Sequence, residues 1–422
     1  MPDAPLTPDR RRTLLDPDMV KQPERAPFVE LGLASCFSFL RGASDAVDLV
    51  ETASELGYDA IGIADVNSLA GVVRIHSEAK TRKLTPVIGC RIETVEGLVF
   101  LAYPSDRAAY GRLCRLISAG RMGTLSGEWQ EKGVCEISLA MLENHAEGLH
   151  LVLVPPRDLD ARIAMEVASN VVPLASTPEG EGADDRVLRH QRLGELLPYL
   201  AEQLPSMRHL AASYIHTGDD LARIARLDAL ARENGLSILA TNDVLYHTPE
   251  RRPLQDVMTA IRHKVTVARA GHLLEANAER HLKSPEDMVR LFARWPHAIT
   301  AARELADACK FSLNELEYEY PKEICPGGLD PQAYLENLTW EGADRRYPAG
   351  VPQSVAETVA KELDVIATMK LARYFLTIKE IFDFARNCEP PILCQGRGSA
   401  ANSAVCYCLE ITSVDPAVHS LL

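Results

Sequence analysis

The sequence contains no stretch of 18 consecutive apolar residues, so nothing in it has the length of a membrane-spanning helix. Its first residues carry Pro, Asp and an Arg10-Arg11-Arg12 run with no apolar core behind them, unlike a secretory signal. A cytoplasmic protein without membrane contact is the expectation. There is no C-x-x-C pair, and ten cysteines scattered over 422 residues read as reduced thiols. Cys406 and Cys408, two apart, read as packed side chains rather than metal or redox ligands. A positive surplus is also missing: 45 Lys and Arg stand against 59 Asp and Glu, a formal charge of −14. That excludes a sequence-independent grip on nucleic acid by the whole surface and leaves room only for a local site. No internal repeat is found. What is present is ordinary for a globular protein, with 46% hydrophobic and 25% charged residues. The length fits two or three domains.

Residues 1–27 are rich in Pro and charge, lack periodicity and read as a mobile tail. From Phe28 to about Val244, short apolar runs alternate with helical patterns. Leu49, Ala53 and Leu56 predict a helix over Asp45–Leu56 with Ser44 as N-cap, followed by a strand at Ala60–Ala64. A helix is expected over Ala70–Lys83, with strands over Pro86–Ile92, Gly97–Tyr103 and Leu149–Val154. Another helix, Asp220–Asn234, is stopped by Gly235 before Ser237–Thr241. This alternation argues for an α/β layer or barrel. Residues 156–208 are less regular, and Pro173–Asp185 reads as a loop or insertion. Beyond about residue 285 the character turns helical: Glu286–Arg294, Ala298–Ala308, then a Pro and Gly linker around Pro321–Pro331. Ser354 and Glu357 read as a capping box opening a helix that carries Val355, Val359, Leu363 and Ile366 on one face. An apolar helix over Tyr374–Asn387 ends before Pro390-Pro391.

The most informative segment follows. Ile392-Leu393-Cys394 predicts a short strand, Gln395-Gly396-Arg397-Gly398 a turn, and Ser399 to Val405 small residues entering a helix. Such a turn points backbone N–H groups at an anion, with Arg397 offering a guanidinium fork and Ser399 and Ser403 hydroxyl donors. The spacing matches neither Walker A nor the dinucleotide G-x-G-x-x-G loop, since Gly398 is followed by Ala401. On local chemistry two readings stand: a triphosphate site, or a tight structural turn.

Gln395–Ser403, with Tyr374-Phe375-Leu376 before it and Thr412–Pro416 after it, resembles the start of the palm in bacterial C-family replicative DNA polymerases. The likeness is greatest to the error-prone paralogue of the polymerase III α subunit. Glu30-Leu31, Ser35–Ser44, Asp65–Gly71, Ile88-Gly89-Cys90, Ala240–Val244 and Leu282–Glu286 resemble that family's polymerase and histidinol phosphatase (PHP) domain. The resemblance covers about residues 28–422. It implies an α/β fold, a PHP-type distorted (β/α) barrel over 28–285, followed by an α+β partial polymerase palm over 286–422. It further implies error-prone, translesion DNA synthesis in the SOS response: nucleotidyl transfer from a deoxynucleoside triphosphate to a primer 3′-hydroxyl, with Mg2+. The implied partners are primer-template DNA, dNTPs, a sliding clamp and mutagenesis accessory proteins. The resemblance also carries triphosphate binding onto Gly396, Arg397, Gly398 and Ser399.

The chain departs from that pattern in two places. The family's metal-holding Asp-x-Asp lies downstream of the glycine loop, and none follows it here before Leu422, so the expectation is a truncated polypeptide that does not polymerise DNA by itself. Asp16/Asp18 and Asp158/Asp160 read as solvated loop acids instead. In the PHP pattern the opening His-x-His falls at Gly32 and Ala34, the Asp-His pair at Asp65-Val66, the Glu at Arg91 and the late Asp-x-His at Asp243-x-Leu245. Asp65 and Asp243 are the relic positions, no metal is expected there, and Arg91 is placed to pair with Asp65. His76, His209, His216 and His247 read as surface or packing histidines, with His247 close to Asp243. Arg251-Arg252, Arg262-His263-Lys264 and Arg345-Arg346 read as solvated faces, and Tyr374 and Phe375 as core. Two alternatives to the polymerase reading remain: a non-catalytic nucleotide- or partner-binding fragment, and a metal-dependent PHP phosphoesterase.

Overall fold

The computed structural model describes residues 26–168, 186–317, 325–415 and 418. The tail expected over most of 1–27, Asp16/Asp18, the Pro173–Asp185 insertion and the start of the Pro321–Pro331 linker lie outside the described residues. The chain divides into two compact units, Met1–Leu316 and Glu317–Leu422.

Among its described residues the first unit contains eight strands: β1 (Ala60–Val66), β2 (Thr85–Glu93), β3 (Val99–Pro104), β4 (Leu149–Leu153), β5 (Arg162–Ala168), β6 (Arg186–Arg192), β7 (Met207–Ala212) and β8 (Ser237–Ala240). Six of them form one mixed sheet in the order β1-β2-β3-β4-β7-β8, and β5 and β6 form a separate antiparallel pair. The register places Ile63 beside Ile88, Cys90 beside Ala102, and Ala102 beside Leu151. Six of the seven β1 residues are buried, which is why that strand reads as a continuous apolar run rather than an alternating one. Helices Ala46–Glu55, Val72–Thr81 and Arg107–Met122 contribute buried Leu49, Val50, Ile75, Leu113 and Leu116 to the same core as the strands.

The two edges of the sheet meet through the extended segment at 30–34. Gly62 N–H donates to Glu30 O and Ala64 N–H to Leu33 O, both at 2.8 Å, joining the segment to β1. On its other side, Ala34 N–H donates to Val244 O at 2.9 Å, just past β8. The fully buried Glu30 carboxylate clasps the same seam, accepting from Gly32 N–H (2.6 Å), Thr241 Oγ1 (2.5 Å) and Asn242 N–H (2.7 Å). The sheet is thereby curled, its open edges satisfied by this segment rather than left bare. This is the mixed α/β, barrel-like architecture expected of the first unit.

Several local expectations are corrected. Asp45 caps the first helix, its carboxylate accepting from Val47 N–H at 3.1 Å. Ser44 instead bonds His247, Oγ to Nδ1 at 2.7 Å. The irregular stretch 156–208 contains the β5/β6 pair, β7's first residues and a helix, Leu193–Gln203. The segment 285–308, with helices Pro285–Leu291 and Pro296–Ala308, buries Met288, Phe292, Ala298, Ala302 and Leu305 in the first unit's core, and the compact unit runs to Leu316.

The described residues of the second unit are helical, with the principal helices Pro331–Arg346, Gln353–Thr368, Ala372–Asn387 and Ala404–Cys408. Val355, Val359, Leu363 and Ile366 form one buried face as their spacing predicted. The Ser354/Glu357 capping box is not formed, because the helix starts two residues earlier with Pro352 at the N-cap and Ser354 already inside it. Ile392–Cys394 is not a strand, and Leu393 is fully exposed, so the β component expected of this unit is not found among its described residues. Gly342 sits where an added Cβ would lie 2.0 Å from Cys408 O, which lets the first and last of these helices touch through backbone.

Candidate functional site

The glycine loop enters from irregular chain and is tied down at one point, where Gly396 N–H donates to Ile411 O at 2.7 Å. Gly398 has φ of +61°, a left-handed conformation that costs a side-chain-bearing residue about 1 kcal/mol or more. From Gly398 to Asn402 the chain makes a short 3-10 turn, and Ser403 then caps the Ala404–Cys408 helix, its Oγ accepting from Cys406 N–H at 3.1 Å. Arg397, Gly398 and Ser399 are exposed.

The four expected triphosphate residues are contiguous but do not share one setting. Gly396 and Ser399 line a cavity of about 710 Å3, together with Lys361, Tyr374, Phe375 and Ile378. Arg397 and Gly398 stand outside that lining. Tyr374 is 45% exposed, so it forms cavity wall rather than the core position expected of it. Beside the loop, the Glu362 carboxylate accepts from Ser403 Oγ (2.7 Å), Ala404 N–H (3.0 Å) and Val405 N–H (3.0 Å). A protein carboxylate thus satisfies the first amides of the helix after the loop, leaving the loop's own residues to any external anion. Arg346 and Arg386 hold the far side: Arg346 donates to Tyr407 O and Thr412 O and lies 4.4 Å over the Tyr407 ring, and Arg386 bonds Glu410. Cys406 and Cys408 are buried free thiols, and burial raises the pKa of both.

The positions read from the sequence as PHP relics, Asp65 and Asp243, both lie in the first unit, in other pairings than expected. Asp65, at the end of β1, accepts from Ser35 N–H (2.8 Å), Ser35 Oγ (2.8 Å) and Ser38 Oγ (2.6 Å). Burial raises its pKa despite these donors. Arg91 does not pair with Asp65; its guanidinium bonds Asp243, which Arg280 also engages from the other side. Burial pushes the Asp243 pKa up, and the Arg280 and Arg91 charges more than reverse it, leaving the carboxyl below its ordinary value. His247 contacts Ser44 and Asp48, not Asp243. The exposed Asp160 pairs with Arg226 at 2.7 Å.

Metal ligation does not fit this site. Gly32, Ala34, Val66 and Leu245 offer no donor side chain, and a Cβ at position 32 would fall 2.3 Å from Thr241 Oγ1, so even a larger residue there lacks room. The two surviving carboxylates are spent on serines and guanidiniums, and among the described residues no group of three or more His, Cys, Asp or Glu is arranged for a cation. Sequence reasoning did not find Arg280 and Glu362. Each lies far along the chain from its partner, 37 residues from Asp243 and 41 from Ser403, with no motif connecting them.

Residues 333–422 match the family described as the bacterial DNA polymerase III alpha NTPase domain, and residues 30–189 match the PHP domain. Over 396 residues the chain is 43% identical to an error-prone DNA polymerase of Caulobacter vibrioides, and over 400 residues 45% identical to one of Bradyrhizobium diazoefficiens, 94% of this chain in each case. Over nearly its whole length the chain is similar to error-prone DNA polymerases. It spans about a third of the length of these error-prone polymerases, 33% and 32% respectively. Among solved structures, an amidohydrolase from Chromobacterium violaceum aligns with 50% of this chain and 86% of its own at a TM-score of 0.33 and 11% identity, too loose a likeness to carry an argument. The glycine loop lies inside the segment shared with the polymerase III family, and both relic carboxylates lie in the other unit.

Proposed function

We propose that this chain is the PHP and initial palm portion of an error-prone DNA polymerase, and that its glycine loop holds the triphosphate of the incoming nucleotide. One observation carries the reading: the loop stands at the rim of a cavity of about 710 Å3 within the segment, 333–422, that matches the polymerase III alpha family. Arg397 is exposed and carries the fork geometry that suits phosphate oxygens, Ser399 adds a hydroxyl, and Gly396 and Gly398 permit close backbone approach. Lys361 adds a second cation at the cavity wall. The reaction is transfer of a nucleotide to a primer 3′-hydroxyl on a DNA template. The Mg2+ ions that assist it are held by carboxylates outside this sequence, and the PHP unit serves as a metal-free scaffold. A sliding clamp, mutagenesis accessory proteins and a cytoplasmic setting complete the proposal.

A direct test is primer extension by the full-length polymerase with Arg397→Ala. The expected result is a dNTP KM raised by about tenfold or more, with kcat/KM falling by at least that factor, as for loss of a charge-assisted phosphate contact. Unchanged KM and kcat would remove Arg397 from the triphosphate site. The second reading, a non-catalytic nucleotide- or partner-binding module, is favoured by the way Glu362 already satisfies the amides beyond the loop. It is distinguished by nucleotide binding without extension in the full-length protein.

A further inference from the structure

The position where a PHP domain would hold metal is not a packed scar. A cavity of about 190 Å3 remains there, walled by Arg41, Arg91, Arg262 and Arg280 with Asp243 and Gln255 among its lining. Three of the four guanidiniums have carboxylate partners: Arg41 binds Glu93 through two bonds of 2.5 and 2.6 Å, Arg91 and Arg280 share Asp243, and Arg280 also reaches Glu275 at 2.8 Å. Arg262 has none among the described residues; its contacts are Leu40 O and His263 Nε2, both at a long 3.4 Å. Four guanidiniums therefore face three carboxylates, Glu93, Asp243 and Glu275, and one positive charge is uncompensated. Burial, with the Arg41 charge and to a lesser extent that of Arg280, disfavours the charged form of Arg262, and Glu93 and Glu275 offset this only in part. An anion in the cavity would relieve that cost.

A neutral donor is also in place. Gln255 is 4% exposed and lines the cavity, its Nε2 donating to Thr259 Oγ1 at 2.9 Å while its Oε1 is buried without a partner. Turned over, the amide takes the Thr259 hydroxyl on its oxygen and presents two N–H donors at the orphaned position. A second cavity of about 170 Å3 shares Asp243, Glu275 and Arg280 and adds Arg157 and Arg223, so the basic character continues beyond the first chamber.

We infer that this cavity binds a phosphate-type oxyanion without metal, held by Arg262 and the Gln255 amide and flanked by Arg41, Arg91 and Arg280. Guanidinium forks match tetrahedral phosphate oxygens, and among the described residues no imidazole lines the cavity and its carboxylates are engaged by guanidiniums, so the lining holds the anion and offers no base to activate water. The site is independent of the glycine loop, which lies in the other compact unit. The ligand is inorganic phosphate, pyrophosphate or the terminal phosphate of a nucleotide, chemically alike at the contacting oxygens.

Isothermal titration of the 422-residue chain with sodium phosphate, pyrophosphate and a deoxynucleoside monophosphate, in metal-free chloride buffer at matched ionic strength, tests this. Saturable binding is expected for at least one of them, weakened tenfold or more by Arg262→Gln and still present in an Arg397→Ala background, where the glycine loop's own contribution is removed. Arg262 has no ion pair among the described residues to lose, so Arg262→Gln should keep its fold; Arg262→Lys, which keeps charge but not the fork, provides a second variant expected to bind at intermediate strength. The order of affinity among the three ligands identifies the source of the phosphate. Absence of saturable binding at millimolar ligand, or equal affinity in wild type and both Arg262 variants, would overturn the proposal. So would binding that disappears with Arg397→Ala alone, which would place the anion at the glycine loop.

Discussion

Asp243 is a carboxylate held between two guanidiniums, and its task in this structure is charge compensation. As a carboxylate between Arg91 and Arg280 it neutralises two guanidiniums that are 11% and 16% exposed. Replacing it by Asn leaves both cations facing each other, and we expect Asp243→Asn to cost roughly 3 kcal/mol at pH 7 in urea unfolding of the first unit. The pH dependence carries the same signature. A carboxyl whose folded pKa is lowered contributes stability above its unfolded value, near pH 4, and loses it as the pH falls through the folded value. Wild type should therefore lose stability below about pH 4, and Asp243→Asn should lose less over that interval. Glu30 and Asp65 act in the opposite sense: burial raises their pKa values, so the stability linked to them is greatest at low pH and is lost as the pH rises through the raised values. An identical acid limb in wild type and Asp243→Asn would show that the pair does not control it.

Among the elements, the Ala404–Cys408 helix is too short to persist without outside support. Glu362 supplies it from the middle of the Gln353–Thr368 helix, accepting from one hydroxyl and two amides at the helix start. Glu362→Ala leaves those donors without their acceptor and should destabilise the second unit by about 1 to 3 kcal/mol, with Glu362→Gln costing less because one carbonyl acceptor remains. Amide exchange at Ala404 and Val405 reads this directly, and unchanged protection in Glu362→Ala would contradict it. The same element contact explains why the glycine loop was legible and its setting was not. Gly396, Arg397, Gly398 and Ser399 are a contiguous pattern, whereas Glu362 faces them only after two helices have packed. The Ser354/Glu357 box failed for a related reason: Ser354 already lies within the helix, so local spacing alone misplaced its start.

At the scale of the whole molecule, the two units have separate apolar cores with no residue in common. Leu210 lies in one and Leu335 in the other, both fully buried. Leu210→Ala should lower exchange protection of the sheet by about 3 kcal/mol, and Leu335→Ala that of the helices around the glycine loop by a similar amount. Among the described residues the two cores share no member, so each change should leave the protection of the other core unaltered. Equal loss in both cores from either substitution would refute the division at Leu316.

The sequence by itself determined the alternation of β1, β2 and the helices around them, the buried Val355 to Ile366 face, the place of the glycine loop and the lack of imidazole at Gly32, Ala34, Val66 and Leu245. Each of these is written in residues near one another along the chain, where periodicity and side-chain type act directly. Only the tertiary structure decided that 30–34 joins the edges of the sheet, that residues 285–308 belong with the first core, that Asp243 answers to Arg91 and Arg280, and that Arg262 is left in a basic cavity. Those depend on contacts across tens to hundreds of residues, chosen by which buried charges and backbone groups each folded neighbour can satisfy.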